Sequence, residues 1–376
     1  MFFWPIIIVG ATLFVAYANG ANDNFKGVAT LFGSGTTDYR KALGWATLTT
    51  LMGSMAALFL ATKLIPIFQG KGVVPALLAQ SEPFLGAVIL GAASTVFLAS
   101  KCGMPISTTH SLAGALFGSG FVAVGFQLGF ATFLTSFFLP LLVSPLLAVM
   151  LTFFGYPLLS RVLRAVGFSK ATCICVGSEA FPRAVTPEGI VMSQGGIRLR
   201  VIVNDEATCA KPLAGTGFGL NGEKLLAVGH FLSAGAVSFA RGLNDTPKIV
   251  ALGLVVGTLD LTWSIILVAA AMALGGLIHA RRVAETVSQR ITRMDPDQGF
   301  LANLATSFLV IFASKWGLPV STTHVSCGAL FGIGVANGQA HWNVIRTILL
   351  AWLLTLPTAA LMAGLIYTVL SRLAVI

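Results

Sequence analysis

Ala99-Ser100-Lys101-Cys102-Gly103-Met104-Pro105-Ile106-Ser107-Thr108-Thr109-His110 returns later in the same chain as Ala313-Ser314-Lys315-Trp316-Gly317-Leu318-Pro319-Val320-Ser321-Thr322-Thr323-His324. Extended to Gly120 and Gly334, the two copies are identical at 15 of 22 positions. Another pair precedes them. Ala18-Asn19-Gly20-Ala21-Asn22-Asp23-Asn24-Phe25-Lys26-Gly27-Val28-Ala29 aligns with Ala240-Arg241-Gly242-Leu243-Asn244-Asp245-Thr246-Pro247-Lys248-Ile249-Val250-Ala251 at 7 of 12 positions. Two matching blocks in the same order signify an internal duplication. Chance likeness between apolar stretches would not reproduce Ser-Thr-Thr-His and Asn-Asp at corresponding places.

The duplicated unit is built for lipid. Of the 376 residues, 56% are hydrophobic and 10% charged, against about 25% charged in an average soluble domain. Apolar runs centre on residues 3–32, 42–62, 83–100, 107–125, 130–158, 225–256, 258–278, 300–314, 321–337 and 344–370. A helix of about 20 such residues crosses a hydrocarbon core of about 30 Å. The runs are continuous rather than alternating, and rich in Gly, Ala and Leu, which excludes a β-barrel. The first and sixth are overlong and carry a polar interruption; the fourth and ninth are Gly-rich and compatible with re-entrant segments.

Five crossings per half put the second half upside down relative to the first. The expected fold is therefore an all-α polytopic membrane protein of two inverted repeats, five to six segments each, with discontinuous helices. The expected divisions are residues 1–160, a polar stretch 161–224, and residues 225–376. Within that stretch Ile197-Arg198-Leu199-Arg200-Val201-Ile202-Val203 alternates and suggests a strand. A linker or small regulatory module suits its composition better than a catalytic domain.

The formal charge of +10 reads as topology, with no nucleic-acid partner. With the N-terminus outside, Arg40, Lys41, Lys101, the eight basic residues of 161–224, Arg281, Arg282, Arg290 and Arg293 fall on the cytoplasmic side. Lys63, Lys71, Lys315 and Arg372 fall outside. The positive-inside rule then places both termini outside. The run Pro5 to Ala18 resembles a signal peptide but lacks a basic start, and the duplication assigns it to the mature chain. The five cysteines show no C-x-x-C spacing, which argues against a zinc site or a disulfide framework.

Ionisable residues within membrane segments are costly unless paired or hydrated. Asp23, Lys26, Asp245 and Lys248 are such residues. Neighbouring Gly20, Gly242, Asn22 and Asn244 suggest a helix unwound at both places, where freed carbonyls and a carboxylate make an oxygen site for a small cation. The plainer reading is an Asp–Lys pair on one helix face. In Pro105-Ile106-Ser107-Thr108-Thr109-His110 the proline halts a helix and Ser107 is a favoured N-cap, so a new helix starts there. Helix N-termini attract anions, and Ser107, Thr108 and Thr109 with Ser321, Thr322 and Thr323 would enclose a tetrahedral oxyanion from two sides. Ordinary capping explains one hydroxyl, not three in each half. His110 and His324 donate to the anion, carry a proton, or are structural. Arg241, whose counterpart is Asn19, either attracts the anion or rests at the helix edge with its charge in water.

These motifs resemble those of the inorganic phosphate transporter (PiT) family, whose halves each carry a G-A-N-D-V-A-N-A-like signature and an L-P-V-S-T-T-H motif. The resemblance covers both halves. It implies secondary symport of phosphate with sodium or protons as coupling cation, both termini outside, a large cytoplasmic loop and usually twelve spans in the cell (inner) membrane; a homo-oligomer is compatible with it. It assigns Asn22, Asp23, Asn244 and Asp245 to the cation side, and Ser107, Thr108, Thr109, Ser321, Thr322 and Thr323 to the phosphate side. Lys26 and Lys248 depart from the signature, which has a second Asn there. An ammonium about 4 Å from the carboxylate would disfavour a sodium ion by about 4 kcal/mol at an effective dielectric near 20. The expectation is proton coupling or none at these positions, with the lysine as tethered cation or charge relay.

Three other readings compete. Sulfate is an oxyanion of similar size. A passive anion channel needs no duplicated carboxylates. An intramembrane hydrolase using Ser107 or Thr108 with His110 would need only one copy of its nucleophile and base. No Walker A sequence, H-E-x-x-H or nucleotide fingerprint is present.

Overall fold

The computed structural model describes residues 3–165, 172–180, 184–185, 191–193, 197–205, 218–255 and 257–374. Its helices of 15 or more residues are α1 (Phe3–Asp23), α2 (Tyr39–Leu60), α3 (Glu82–Lys101), α4 (Thr108–Val124), α5 (Leu139–Ala165), α6 (Gly222–Leu254), α7 (Leu261–His279), α8 (Pro296–Trp316), α9 (Thr322–Ala336) and α10 (Trp342–Leu373). Each falls on one of the apolar runs. Among the described residues nine helical segments are long and apolar enough to cross a membrane, not ten. The exception is α9: its 15 residues span about 22 Å, short of a hydrocarbon core.

The chain is an integral membrane protein, and its polarity is inverted accordingly. Phe59, Leu353, Leu361 and Leu365 face outward, at least 69% exposed, while Asn19, Asp23, Arg241, Asn244 and Lys248 are buried. That distribution would be unstable in water and is what lipid demands. Two compact units result: Met1–Tyr156 with His230–Ile376, and Pro157–Gly229. Both sequence halves thus build one helical body.

Close helix approach holds this body together. A Cβ added at Gly20 (α1) would lie 1.9 Å from the carbonyl oxygen of Met272 (α7), and one at Gly275 (α7) 1.9 Å from that of Tyr17 (α1). At the duplicated positions, Gly242 and Gly53 meet the carbonyl oxygens of Thr50 and Phe239 at 2.1 and 2.0 Å, joining α6 to α2. Gly118 sits equally tight on the Ala360 carbonyl of α10, and Gly332 packs on Thr152 and Val149 of α5. Helices of one half thus pack on helices of the other, through small residues that let backbones touch. Gly20 and Gly242 serve this contact. They lie inside helices rather than unwinding them, contrary to the expectation.

The expected break occurs in the first half alone. There α1 ends at Asp23, a 3-10 turn covers Lys26–Val28, and a short helix follows at Ala29–Gly33. Phe25 anchors the turn by stacking on Tyr39 at 4.8 Å. In the second half Pro247 stands in its place, inside a continuous α6. Proline inside a helix forfeits one hydrogen bond and crowds the carbonyl four residues back, a cost that packing against neighbouring helices offsets in a membrane bundle.

The unit Pro157–Gly229 contains strands β1 (Thr172–Ala180), β2 (Ala184–Val185), β3 (Val191–Ser193), β4 (Ile197–Asp205) and β5 (Phe218–Asn221). β4, β1 and β5 form an antiparallel sheet in that order, with Thr172 opposite Asp205 and Ala180 opposite Ile197; β2 pairs with β3. The alternation at 197–203 marked β4 correctly. The all-α class therefore holds for the membrane body. Of the basic residues expected in the central loop, Lys170, Arg183 and Lys211 lie outside the described residues.

Candidate functional site

The two Ser-Thr-Thr-His copies each begin a helix. Their preceding helices end on Gly103 (φ 70°) and Gly317 (φ 76°), left-handed positions that glycine occupies without strain. The chain then runs through Pro105 or Pro319 to a serine cap. Ser107 Oγ accepts from the His110 amide at 3.0 Å, and Ser321 Oγ from the His324 amide at 3.2 Å. Both hydroxyl protons remain available to donate. The first amides of α4 and α9 lack intrahelical partners, so each start offers a cluster of donors.

The signature residues converge on these starts. Lys26 Nζ donates to Asn22 Oδ1 at 2.7 Å, to the Ile106 carbonyl at 2.9 Å and to Thr323 Oγ1 at 2.7 Å, and pairs with Asp23 Oδ1. Lys248 Nζ donates to the Val320 carbonyl at 2.6 Å, to Thr109 Oγ1 at 2.8 Å and to Asp245 Oδ1 at 3.4 Å. Ile106 and Val320 are counterparts in the repeat, as are Thr109 and Thr323. Each lysine therefore ties its own half's carboxylate and carbonyl to a threonine of the other half. Thr108 and Thr322 donate to Asp23 Oδ2 and Asp245 Oδ2 at 3.1 and 3.5 Å.

The amides fix these groups in place. Asn22 Nδ2 donates to Ser100 Oγ and the Met104 carbonyl, both at 3.0 Å. Asn244 Nδ2 donates to the Val320 carbonyl at 3.1 Å, and its oxygen accepts from Ser314 Oγ at 3.0 Å. The half-sites meet at Asn19, whose Nδ2 lies 3.0 Å from Asp23 Oδ2, 3.2 Å from Asp245 Oδ2 and 3.0 Å from Thr108 Oγ1. Its oxygen accepts from Arg241 Nη2 at 2.6 Å. Arg241 is 1% exposed and also donates to Asn24 Oδ1 at 3.0 Å. Its charge is thus buried in the site and not at the helix edge in water. The cluster holds three cations, Lys26, Arg241 and Lys248, against two carboxylates, Asp23 and Asp245. An excess of positive charge in a dry interior favours an anion.

Sequence reasoning singled out the Asn-Asp, Lys and Ser-Thr-Thr-His residues of both copies, gave no role to Asn19, Asn24 and Thr50, and passed over the duplicated pair Ser100 and Ser314. Asn19 was the most legible of these. It and Arg241 are the unmatched pair in an otherwise repeated motif, and they touch each other. The histidines behave differently from the hydroxyls. His110 and His324 face each other with ring centroids 4.3 Å apart, and His324 stacks on Trp352 at 3.8 Å. His110 Nδ1 and His324 Nε2 have no hydrogen-bond partner among the described residues. Beyond the site, Ser100 also lines a cleft of about 590 Å³ shared with Lys101, His279, Arg281, Arg282 and Glu285, a basic vestibule one hydrogen bond from Asn22.

Comparison with known proteins supplies the family. The chain is 29% identical to inorganic phosphate transporter 2-1, chloroplastic, of Arabidopsis thaliana, over 94% of this chain and 70% of that one. It is 28% identical to a candidate phosphate permease of Haemophilus influenzae, over 98% and 96% of the two chains. A solved structure described as the sodium-dependent phosphate transporter superposes with a TM-score of 0.75, covering 98% of this chain and 99% of that one at 23% identity, and so shares the fold. The profile of the phosphate transporter family matches residues 19–363; by that match and by its paired, membrane-buried sites, the chain belongs to the phosphate transporter family.

Proposed function

We propose that the chain is a secondary active symporter of inorganic phosphate, coupled to a cation gradient, with its substrate held between two inverted halves. The observation that carries this reading is the crossed pairing of the site, Lys26 to Thr323 and Lys248 to Thr109. A site whose every charged group bridges both halves is sensitive to their relative movement, as alternating access requires. Ser107 and Ser321, the amides behind them and the excess cation supply donors and charge for a tetrahedral oxyanion, which would be released as the halves separate. Burial of charged groups in both halves, with no nucleophile–base pair shown between Ser107 or Thr108 and a histidine ring, suits transport better than hydrolysis.

In this reading residues 161–224 are cytoplasmic, both termini are outside, and the protein resides in the cell (inner) membrane. The vestibule at Lys101, Arg281 and Arg282 then opens to the cytoplasm. The test is uptake of labelled phosphate into proteoliposomes bearing imposed cation gradients, with unlabelled phosphate or sulfate as competitor. Saturable uptake competed by phosphate is expected. Uptake competed equally by sulfate would make the chain a broader oxyanion permease, and the absence of uptake would refute the reading.

A further inference from the structure

We propose that the ammonium groups of Lys26 and Lys248 act as built-in cations, filling the two oxygen cages of the site so that it binds its anion with no sodium ion in either half. The inference rests on the phosphate-carrier reading for the anion's identity, but not for the cages themselves. Each cage has the ligand chemistry of an alkali-cation site: a carboxylate, a backbone carbonyl freed from helix bonding, and a hydroxyl, with an amide oxygen added around Lys26. In both cages those oxygens converge on a lysine nitrogen instead. Around Lys26 three of them lie at 2.7 to 2.9 Å, with Asp23 as the ion-pair partner. Around Lys248 two lie at 2.6 and 2.8 Å and the carboxylate at 3.4 Å.

An ammonium has three donors and no acceptor, enough for all three oxygens around Lys248 and for three of the four around Lys26. A sodium ion entering either cage would meet a fixed like charge at ligand distance and would lose its carboxylate to the lysine. The residues present therefore do not fit sodium. Charge balance points the same way. With both lysines charged the cluster already carries an excess cation, so an entering anion needs no further positive charge. The lysines are also nearly inaccessible, at 5% and 1% exposure, and each is reached from its own carboxylate three residues earlier, which keeps it in the cage.

The test uses the full-length purified protein. Binding of radioactive sodium is measured by scintillation proximity, and binding of labelled phosphate is measured in sodium chloride and in choline chloride. Wild type is expected to bind no sodium above background, with phosphate affinity equal within twofold in the two media. Lys26→Asn and Lys248→Asn, each checked for monodisperse folded protein, are expected to gain saturable sodium binding, with phosphate affinity at least tenfold better in sodium than in choline. Sodium binding by wild type, or a tenfold sodium dependence of its phosphate affinity, would overturn the proposal, and needs no variant to fold. Folded asparagine variants that bind no sodium would also overturn it, by showing that the cages are not cation sites. If wild type binds phosphate in neither medium, the transport reading fails, while the sodium arm still decides the role of the lysines.

Discussion

Thr323→Val and Thr109→Val remove equivalent hydroxyls, yet the structure makes their effects unequal. Lys26 has four oxygen acceptors, Asn22, Asp23, Ile106 and Thr323, for three N–H groups. Removing Thr323 leaves three acceptors for three donors. Lys248 has three acceptors, Thr109, Asp245 and Val320, and the bond to Asp245 is long at 3.4 Å. Removing Thr109 leaves a buried, charged N–H without a partner. A hydrogen bond to a charged group is worth about 1.5 to 3 kcal/mol, and an orphaned buried donor costs about 1 to 3 kcal/mol or more. Thr323→Val should therefore cost about 1.5 kcal/mol, and Thr109→Val about 3 kcal/mol. The assays are thermal inactivation in detergent, and phosphate KM in proteoliposomes. Both variants should insert, both should raise KM about tenfold or more, and Thr109→Val should show the larger loss in each assay. Equal effects, or a larger effect of Thr323→Val, would refute the donor count around the lysines.

Gly20→Ala and Gly242→Ala, which place a Cβ about 2 Å from the carbonyl oxygens of Met272 and Thr50, should sharply reduce the yield of monodisperse protein, read by size-exclusion chromatography; Gly10→Ala, with nothing within 4 Å, should not. Arg241→Lys should fail to restore the phosphate affinity lost in Arg241→Met, because one ammonium cannot reach Asn19 and Asn24 as the planar guanidinium does; equal affinity in Arg241→Lys and wild type would contradict this. Arg281→Gln combined with Arg282→Gln should slow phosphate entry from the vestibule side, read as efflux from phosphate-loaded right-side-out proteoliposomes, several-fold at low ionic strength and little at high, since exposed charges steer anions only within a Debye length. Cysteines introduced near Lys71 and the C-terminus should react with an impermeant reagent from outside, and cysteines in 161–224 should not; the reverse pattern would invert the assigned orientation.

The duplication made most of this site legible. Ser107, Thr108 and Thr109 recur as Ser321, Thr322 and Thr323, and the structure brings both sets against Asp23, Lys26, Asp245 and Lys248. Two features were hidden for physical reasons. The glycines of the first motif looked like points of unwinding, because local composition does not reveal that Met272 and Thr50 press against them from helices distant in sequence. Arg241 was left open between attracting the anion and resting at the helix edge, because its counterpart is the uncharged Asn19, and only the fold shows that the two are partners. The break at Asn24–Phe25 has no equivalent at Thr246–Pro247: Phe25 stacks on Tyr39 beside the break, whereas Pro247 lies inside a continuous α6. The shortness of α9 was suggested by its glycines, but its 15-residue length was fixed by its capping serine and its end at Asn337.

Concentrative uptake of labelled phosphate by proteoliposomes containing the purified chain, with sodium and proton gradients imposed separately, tests the central claim most directly. Saturable phosphate accumulation that proceeds in sodium-free medium, and that weakens in Thr109→Val, is the predicted result. Absence of phosphate accumulation under every gradient, or accumulation unchanged in Thr109→Val and Thr323→Val alike, would contradict a phosphate carrier built on these paired helix starts.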